Sequence, residues 1–303
     1  MLEYAKRRIR RLRRSITEGL AASVVATLGR NKRIRKNMVR NLFAQYLDPS
    51  CRVSVEFPDH RFLIDPKDTQ IGFKLMSGRP WQRWELEYAI ASLKERRRFK
   101  SAGVFVDIGA NIGTQTIYAL LTGEFSRGLA IEAEPGNHAL LAHNIKLNNL
   151  EDRVAIVHCA ASNCNGTIRL RINENNGGGH RVAGNGSRRL ARVVEVPANT
   201  VDAIAREASV RASDVGLVWI DVEGHELVVL EGMHDLLAAR APIVMEYTGD
   251  LHGKGGADRL RRLLEGRYES VLVLEEGPSS VAPSTVRLSD FTPGPLVRDL
   301  LIY

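Results

Sequence analysis

Cysteine is scarce in this chain. Cys51, Cys159 and Cys164 are the only three among 303 residues. They form no Cys-x-x-Cys pair and have no histidine at ligand spacing, so neither a zinc site nor a disulfide framework is indicated. A reduced, cytosolic chain without a metal is the expectation. Long apolar runs are missing too. The best candidate, Ile16 to Gly29, is interrupted by Glu18 and followed by the basic segment Arg30 to Arg40, which leaves it too short to span a bilayer. No Gly-x-Ser-x-Gly elbow and no Walker loop occur, which argues against an α/β-hydrolase and a nucleoside-triphosphate machine. Internal repeats are absent, and the only low-complexity feature is the glycine cluster Gly177 to Gly179.

What is present is enough apolar sequence for one α/β core of ordinary size, at 44% hydrophobic and 26% charged residues. The charge is segregated. Residues 1 to 40 hold 13 Lys or Arg against Glu3 and Glu18, so the remainder carries a small net negative charge within an overall +8. In that arm Ala5, Ile9, Leu12, Ile16 and Leu20 recur at helical spacing among arginines, which describes a basic amphipathic helix. Such an arm fits peripheral contact with an anionic membrane at the inner face, and equally a solvated helix or oligomer contact. Nucleic acid is the least favoured partner. Oligomeric state has no signature here.

The most informative stretch is Val104-Phe-Val-Asp-Ile-Gly-Ala-Asn-Ile-Gly113. Val104 to Val106 reads as a parallel strand buried on both faces. Asp107 ends it, and Gly109 and Gly113 permit positive φ and close backbone approach to a ligand. Thr114 to Thr122 continues as a helix whose first N–H groups face the pocket. A dinucleotide fingerprint would need glycine at the first, third and sixth positions; those positions hold Gly109, Asn111 and Thr114. The second stretch, Val218-Trp-Ile-Asp-Val-Glu-Gly-His-Glu226, repeats the architecture, with Asp221 and Glu223 at a strand end, Gly224 at the turn and a helix predicted over His225 to Leu237. If the two strands are neighbours, Asp107 and Asp221 face one crevice beyond the strand ends.

These two turns, with Val229-Leu-Glu-Gly232 and Ile131-Glu-Ala-Glu-Pro-Gly-Asn137, resemble the FkbM family of S-adenosylmethionine-dependent methyltransferases over about residues 52 to 303. The chain departs from the family at Ala133, where proline is usual. The resemblance implies a Rossmann-like class I methyltransferase fold with a seven-stranded, mostly parallel α/β sheet; strand alternation at Val53 to Phe57 and Arg61 to Ile64 adds a preceding β-hairpin, and the basic arm a helical extension. The domain boundaries expected are residues 1–50 for the extension, 51–100 for the hairpin and lead-in helix, and 101–303 for the donor-binding domain.

The resemblance also implies S-adenosyl-L-methionine as cofactor, bound by Asp107, Gly109, Asn111, Gly113, Glu132, Ser162, Asn163 and Asp221. Glu132 ends the second strand, about twenty residues past the turn, where a carboxylate can accept from both ribose hydroxyls; Glu134 is its competitor. Ser162 or Asn163 would meet the adenine amino group. Asp107 is read as a donor ligand or an organiser of the turn. Methyl transfer needs in-line positioning, and a hydroxyl acceptor benefits from a general base. Asp221 is the first candidate, with Glu223 and His225 as the others. Glu246, at the end of the fifth strand, is a candidate for orienting the acceptor, and the loop carrying His180 for closing over it. Asp-Pro-Pro-Tyr-like segments, which resemble those of amino-group methyltransferases, are absent, so the resemblance favours O-methylation of a small-molecule or glycan hydroxyl.

Overall fold

In a computed structural model, the structure describes residues 46, 48, 50–174, 176–183, 192–253, 255–274, 285–292 and 297–303. The basic arm expected over residues 1–50 lies almost wholly outside them.

The chain enters through a hairpin, β1 (Val53–Glu56) and β2 (Arg61–Ile64), followed by α1 (Ile71–Met76) and α2 (Arg83–Glu95). The main sheet begins with β3 (Gly103–Ile108), α3 (Thr114–Leu121), β4 (Phe125–Glu132), α4 (Pro135–Leu147) and β5 (Val154–His158). There the chain leaves the main sheet and builds a second one from β6 (Ala160–Ser162), β7 (Gly166–Arg171), β8 (Arg181–Val182) and β9 (Val193–Thr200). It returns through α5 (Val201–Glu207) to β10 (Val215–Ile220), α6 (Glu226–Glu231), α7 (His234–Ala238) and β11 (Ile243–Thr248). The closing elements are α8 (Gly249–His252), α9 (Gly256–Leu264), β12 (Ser270–Leu274), β13 (Thr285–Arg287) and β14 (Val297–Ile302).

The main sheet has the order β13-β12-β14-β11-β10-β3-β4-β5. That is one strand more than the seven expected, because β13 extends the edge against β12. From β11 to β5 all pairings are parallel, whereas β14 inserts antiparallel between β11 and β12. The order reverses between β3 and β10, which are hydrogen-bonded neighbours with Ile108 beside Ile220. A parallel sheet binds ligands beyond the strand ends at such a switch point.

Strand alternation explains the layers. Val104, Val106 and Ile108 point to one face and join Ile204, Leu230 and Leu237, while Phe105 points to the other and joins Phe62, Leu86 and Ile117. Two α4 asparagines tie the hairpin to that second face. Asn144 accepts from the Leu63 N–H at 2.6 Å and donates to the Leu63 and Ile112 carbonyls at 3.1 and 2.9 Å. Asn148 repeats the exchange on Arg61, at 2.9 and 2.8 Å. Their amides stand in for a neighbouring strand along β2.

The helix predicted over His225 to Leu237 is in fact two, α6 and α7. A Cβ on Gly232 would lie 1.9 Å from the Ser162 carbonyl oxygen, so the chain passes β6 too tightly to continue as one helix. Among the described residues no helix is long and apolar enough to cross a membrane.

Candidate active site

The glycine turn after β3 is built against the end of β10. The Asp221 N–H donates to the Ile108 carbonyl at 3.0 Å, and Gly109 takes φ +83° with its Cα against the Asp221 carbonyl. Gly109 and Ala110 both donate to the Ile131 carbonyl, at 2.9 and 3.0 Å. Asn111 then takes φ +52°. Its backbone N–H donates to Glu132 Oε2 at 2.8 Å, while the Glu134 N–H donates to Glu132 Oε1 at 2.7 Å. Glu132 is thus fixed by both oxygens, with lone pairs to spare, in the lining of a cleft. Burial pushes its carboxyl up to about 7, against the two amides, which pull it down. Glu134, the competitor, faces elsewhere: its Oε2 caps α4 by accepting from the Asn137 N–H at 2.6 Å.

That cleft has about 580 Å³ of open space and is lined by Gly109, Glu132, Ala161, His180, Asp221 and His225, among others. A larger chamber of about 1040 Å³ lies on the side of α1 and α3. Gly109, Asn111, Gly178, Asp221 and Glu223 line both spaces and form the passage between them.

A strap roofs the passage. The Gly177 carbonyl accepts from Asn111 Nδ2 at 2.8 Å and Asn137 Nδ2 at 2.7 Å, and the Gly177 N–H donates to the Asp68 carboxylate. Asp68 also accepts from the Gly72 N–H at 2.9 Å and the Gln70 N–H at 2.9 Å. Further along, Arg181 sets Nη2 and Nε on Glu223 Oε2 at 2.8 and 3.2 Å. The glycine loop, in its described part, is therefore anchored over the site from both ends. His180 lines the cleft with Nδ1 accepting from the Asn173 N–H at 3.0 Å. That bond fixes its neutral tautomer with the proton on Nε2, and burial holds its pKa below the usual imidazole value.

The candidates from sequence do not all gather. Asp221 and Glu223 sit in the passage, and Glu223 is taken by Arg181. Burial is the main force raising the Asp221 pKa well above the carboxylate range, with Glu246, Glu223, Asp299 and Glu226 adding repulsion. Glu246 lines the chamber and is pushed up to about 8, by burial first and Asp299 next.

Asp107 does not line either space; it is buried beneath the turn, where Oδ2 accepts from Thr116 Oγ1 at 2.5 Å. This is the turn-organising alternative. Gly113, the N-cap of α3 at φ +90°, is packed on Leu141 rather than on the cleft. Three candidates sit apart from the places expected for them. Ser162 is buried against His225, with Oγ 3.3 Å from Nε2, and Asn163 turns outward to Glu231 Oε2 at 3.0 Å; the cleft wall expected from them is made by Cys159, Ala160 and Ala161. Ser162 ends β6, where it pairs with Thr200 of β9. His225 lines the smaller cleft and is absent from the chamber lining.

Other residues emerged only in three dimensions. Glu226 is buried, accepts from the Gly224 N–H at 2.8 Å, and lies 3.1 Å from His252 Nε2. This pair joins the Asp221 turn to α8, whose Leu251 lines the chamber. Arg181, His252 and Gln115 carried no signal in the sequence, since nothing in their spacing places them beside the turns.

Strand order, switch point and paired turns define a Rossmann-like α/β fold of the methyltransferase kind. The chain matches the methyltransferase FkbM domain over residues 107–270, more than half its length, and belongs to that family. Among solved structures it is similar to a methyltransferase FkbM from Methylobacillus flagellatus, at 17% identity and TM-score 0.43, covering 89% of this chain and 59% of that one. The chain thus spans less than two thirds of that protein. It is also similar to TYW2 from P. horikoshii in complex with MeSAdo, at 13% identity and TM-score 0.40 over 85% and 73% of the two chains. A third likeness is TYW2 from M. jannaschii in complex with AdoMet, at 14% identity and TM-score 0.36 over 83% and 84%. No curated protein matches this chain in sequence.

Proposed function

We propose that this methyltransferase uses S-adenosyl-L-methionine and methylates a hydroxyl oxygen on a saccharide or secondary metabolite. The observation that carries the reading is the passage: a cleft with a fixed, ligand-facing carboxylate and a wider polar chamber meet at Gly109 and Asp221. Glu132 fits a ribose diol, because each of its oxygens already holds one amide and keeps a further acceptor site. The bare backbone at Gly109 and the neutral His180 complete a wall suited to a nucleoside.

The donor supplies an electrophilic methyl group on a sulfonium. With that group bound, the acceptor oxygen would take the methyl as the thioether leaves with the C–S electron pair, and the Asp221 carboxylate would accept the hydroxyl proton. A desolvated carboxylate of raised basicity suits that task. Positioning supplies the larger share of the rate, and here the strap, pinned at Gly177 and Arg181, is held beside the passage. The hairpin and lead-in region, residues 51–100, contributes Gln70, Ile71, Trp81 and Gln82 to the chamber, so we read it as part of the acceptor site. The basic arm we assign to an anionic membrane face.

Calorimetric titration with S-adenosyl-L-methionine tests the reading. Saturable binding that Glu132→Ala weakens by at least about tenfold, some 1.4 kcal/mol, is expected. Absence of binding to the wild-type chain would refute it.

A further inference from the structure

Six strands of the main sheet, β5, β4, β3, β10, β11 and β12, run in one direction, and they begin at the end opposite the two spaces. Each is entered past a cation. Arg153 immediately precedes β5, Arg127 is the third residue of β4, and Lys100, Arg211, Arg240 and Arg267 stand three or four residues ahead of β3, β10, β11 and β12. The chain leaves α2 at the same end through Lys94-Glu-Arg-Arg-Arg-Phe-Lys100, five cations and one acid. Beyond residue 40 the chain is slightly acidic as a whole, so this end holds a local surplus of positive charge.

Some of these cations have partners within the protein. Lys94 pairs with Glu124, Arg96 with Glu95 at 3.4 Å, and Lys100 and Arg211 share Asp214 at 3.7 and 2.7 Å. Arg127 and Arg153 donate to the Ser209 and Phe125 carbonyls at 2.9 and 2.8 Å. Arg97, Arg98, Arg240 and Arg267 are different: all four are exposed, and none makes an ion pair among the described residues. Arg240 and Arg267 reach main-chain carbonyls alone, those of Gly266 and Leu263, each at 3.4 Å. Arg98, Arg240 and Arg267 nevertheless converge on one groove, shared with Pro242, Glu269 and Tyr303, which sets three guanidinium groups against one carboxylate side chain. Glu151 and Asp152 stand apart from them, at the β5 edge of the sheet. A helix carboxyl end attracts cations within its last turn, but Arg98 and Arg267 lie three residues past α2 and α9, so that attraction does not account for them.

We propose that the strand-entry end of the folded core is a docking face for an anionic lipid surface, with Arg97, Arg98, Arg240 and Arg267 set against the headgroup phosphates. Strands about 4.8 Å apart spread the cations of this end over a front of roughly 30 Å, which matches a plane of headgroups. Nucleic acid is recognised by stacking on aromatic rings or by a helix laid in a groove; the exposed large hydrophobic residues among those described, Tyr46, Trp84, Val182 and Leu251, stand at none of the six strand entries. The proposal extends the membrane assignment of the basic arm to the core, and it rests on that reading for the identity of the partner. It also orients the enzyme. Both spaces lie at the opposite ends of the strands, about 20 Å away along the six residues of β3, so the site opens away from the lipid.

The test is sedimentation of the full chain with phosphatidylcholine vesicles, with and without phosphatidylglycerol. Binding confined to the anionic vesicles and reversed by high salt is expected. The combined variant Arg97→Gln, Arg98→Gln, Arg240→Gln and Arg267→Gln, confirmed folded by its melting transition, should bind them at least about tenfold more weakly. Arg97→Lys, Arg98→Lys, Arg240→Lys and Arg267→Lys together keep the charge and should stay within about threefold of wild type. Arm substitutions Arg7→Gln, Arg8→Gln, Arg10→Gln and Arg11→Gln form a separate sample. Vesicle binding retained by the four-glutamine core variant overturns the proposal whatever the arm variant does, as does failure of the wild-type chain to bind anionic vesicles. Weak binding by the core variant beside full binding by the arm variant upholds the docking face and refutes the arm's assignment instead. A DNA duplex titrated into the same samples decides between polyanions: if the core variant loses the duplex and keeps the vesicles, the face is a nucleic-acid surface and the proposal fails.

Discussion

Gly109 and Asp221 are in backbone contact: a Cβ built on Gly109 would lie 1.9 Å from the Asp221 carbonyl oxygen. The two sequence turns are thus in direct backbone contact, and a shift of the glycine turn after β3 bears on the Asp221 turn.

Gly109→Ala should therefore be severe. The substitution meets a left-handed φ of +83°, worth about 1–2 kcal/mol for a residue with a Cβ, and a backbone atom that has no room to yield. A loss of about 3 kcal/mol or more in denaturant unfolding is expected, with nucleoside binding abolished. Near-wild-type stability would mean that the turns are not locked together.

The carboxyl groups set the pH dependence of folding. Asp107 and Glu132 titrate at about 7 in the folded chain, above their ordinary values of 3.8 and 4.5. Between those limits the folded state keeps protons that the unfolded chain has released. Their stabilisation is complete below about pH 4 and is lost as pH rises through 7, with a slope of at most about 1.4 kcal/mol per pH unit for each group. The unliganded protein should melt at lower temperature at pH 8 than at pH 6. Asp107→Asn keeps an acceptor for Thr116 and should flatten that slope; an unchanged slope would show that Asp107 is already ionised.

Donor binding should release a proton. Ribose hydroxyls donating to Glu132 favour its ionised form, so binding near pH 6.5 must expel the proton that burial retains. Calorimetry in two buffers of different ionisation enthalpy measures this directly, and Glu132→Gln should remove it. That variant also turns an amide N–H₂ toward either the Asn111 or the Glu134 N–H, so a loss of about 1–3 kcal/mol in affinity is expected.

The strap should open locally before the fold does. Asn137→Ala removes one of the two side-chain donors on the Gly177 carbonyl, a bond worth about 0.5–1.5 kcal/mol. Hydrogen exchange at Gly177 to Gly179 should accelerate by roughly three- to tenfold, while global unfolding changes little. Equal acceleration throughout the sheet would place Asn137 in the general core instead.

How much of this was legible beforehand depended on periodicity and distance along the chain. The strands Val104 to Val106 and Val218 to Ile220 and their turns could be read because burial and glycine geometry are local. Their adjacency was a condition in the sequence and is a fact in the sheet. Glu132 was legible through its spacing from the turn, but Glu134 could be set aside only by seeing it cap α4. The placement of Ser162 against His225 and of Asn163 against Glu231 rests on contacts 63 and 68 residues away along the chain, which no local pattern marks. Arg181 and Gln115 act across 42 and 33 residues, through contacts that only tertiary structure creates.

The three catalytic candidates can be separated by one comparison. Asp221 lies in the passage, Glu223 is held there by Arg181, and His225 is turned to Ser162 in the smaller cleft, the proposed donor site. Asp221→Asn keeps the shape but loses the proton acceptor, so kcat should fall by about 10²–10⁴, with donor affinity within about threefold. Glu223→Gln weakens the Arg181 contact and should raise KM for the acceptor more than it lowers kcat, because it loosens the strap without touching the proton. His225→Gln should leave kcat within a few fold, since its imidazole does not line the chamber. A His225 variant as slow as Asp221→Asn would mean that the acceptor enters from the donor cleft, and the assignment of the two spaces would have to be exchanged.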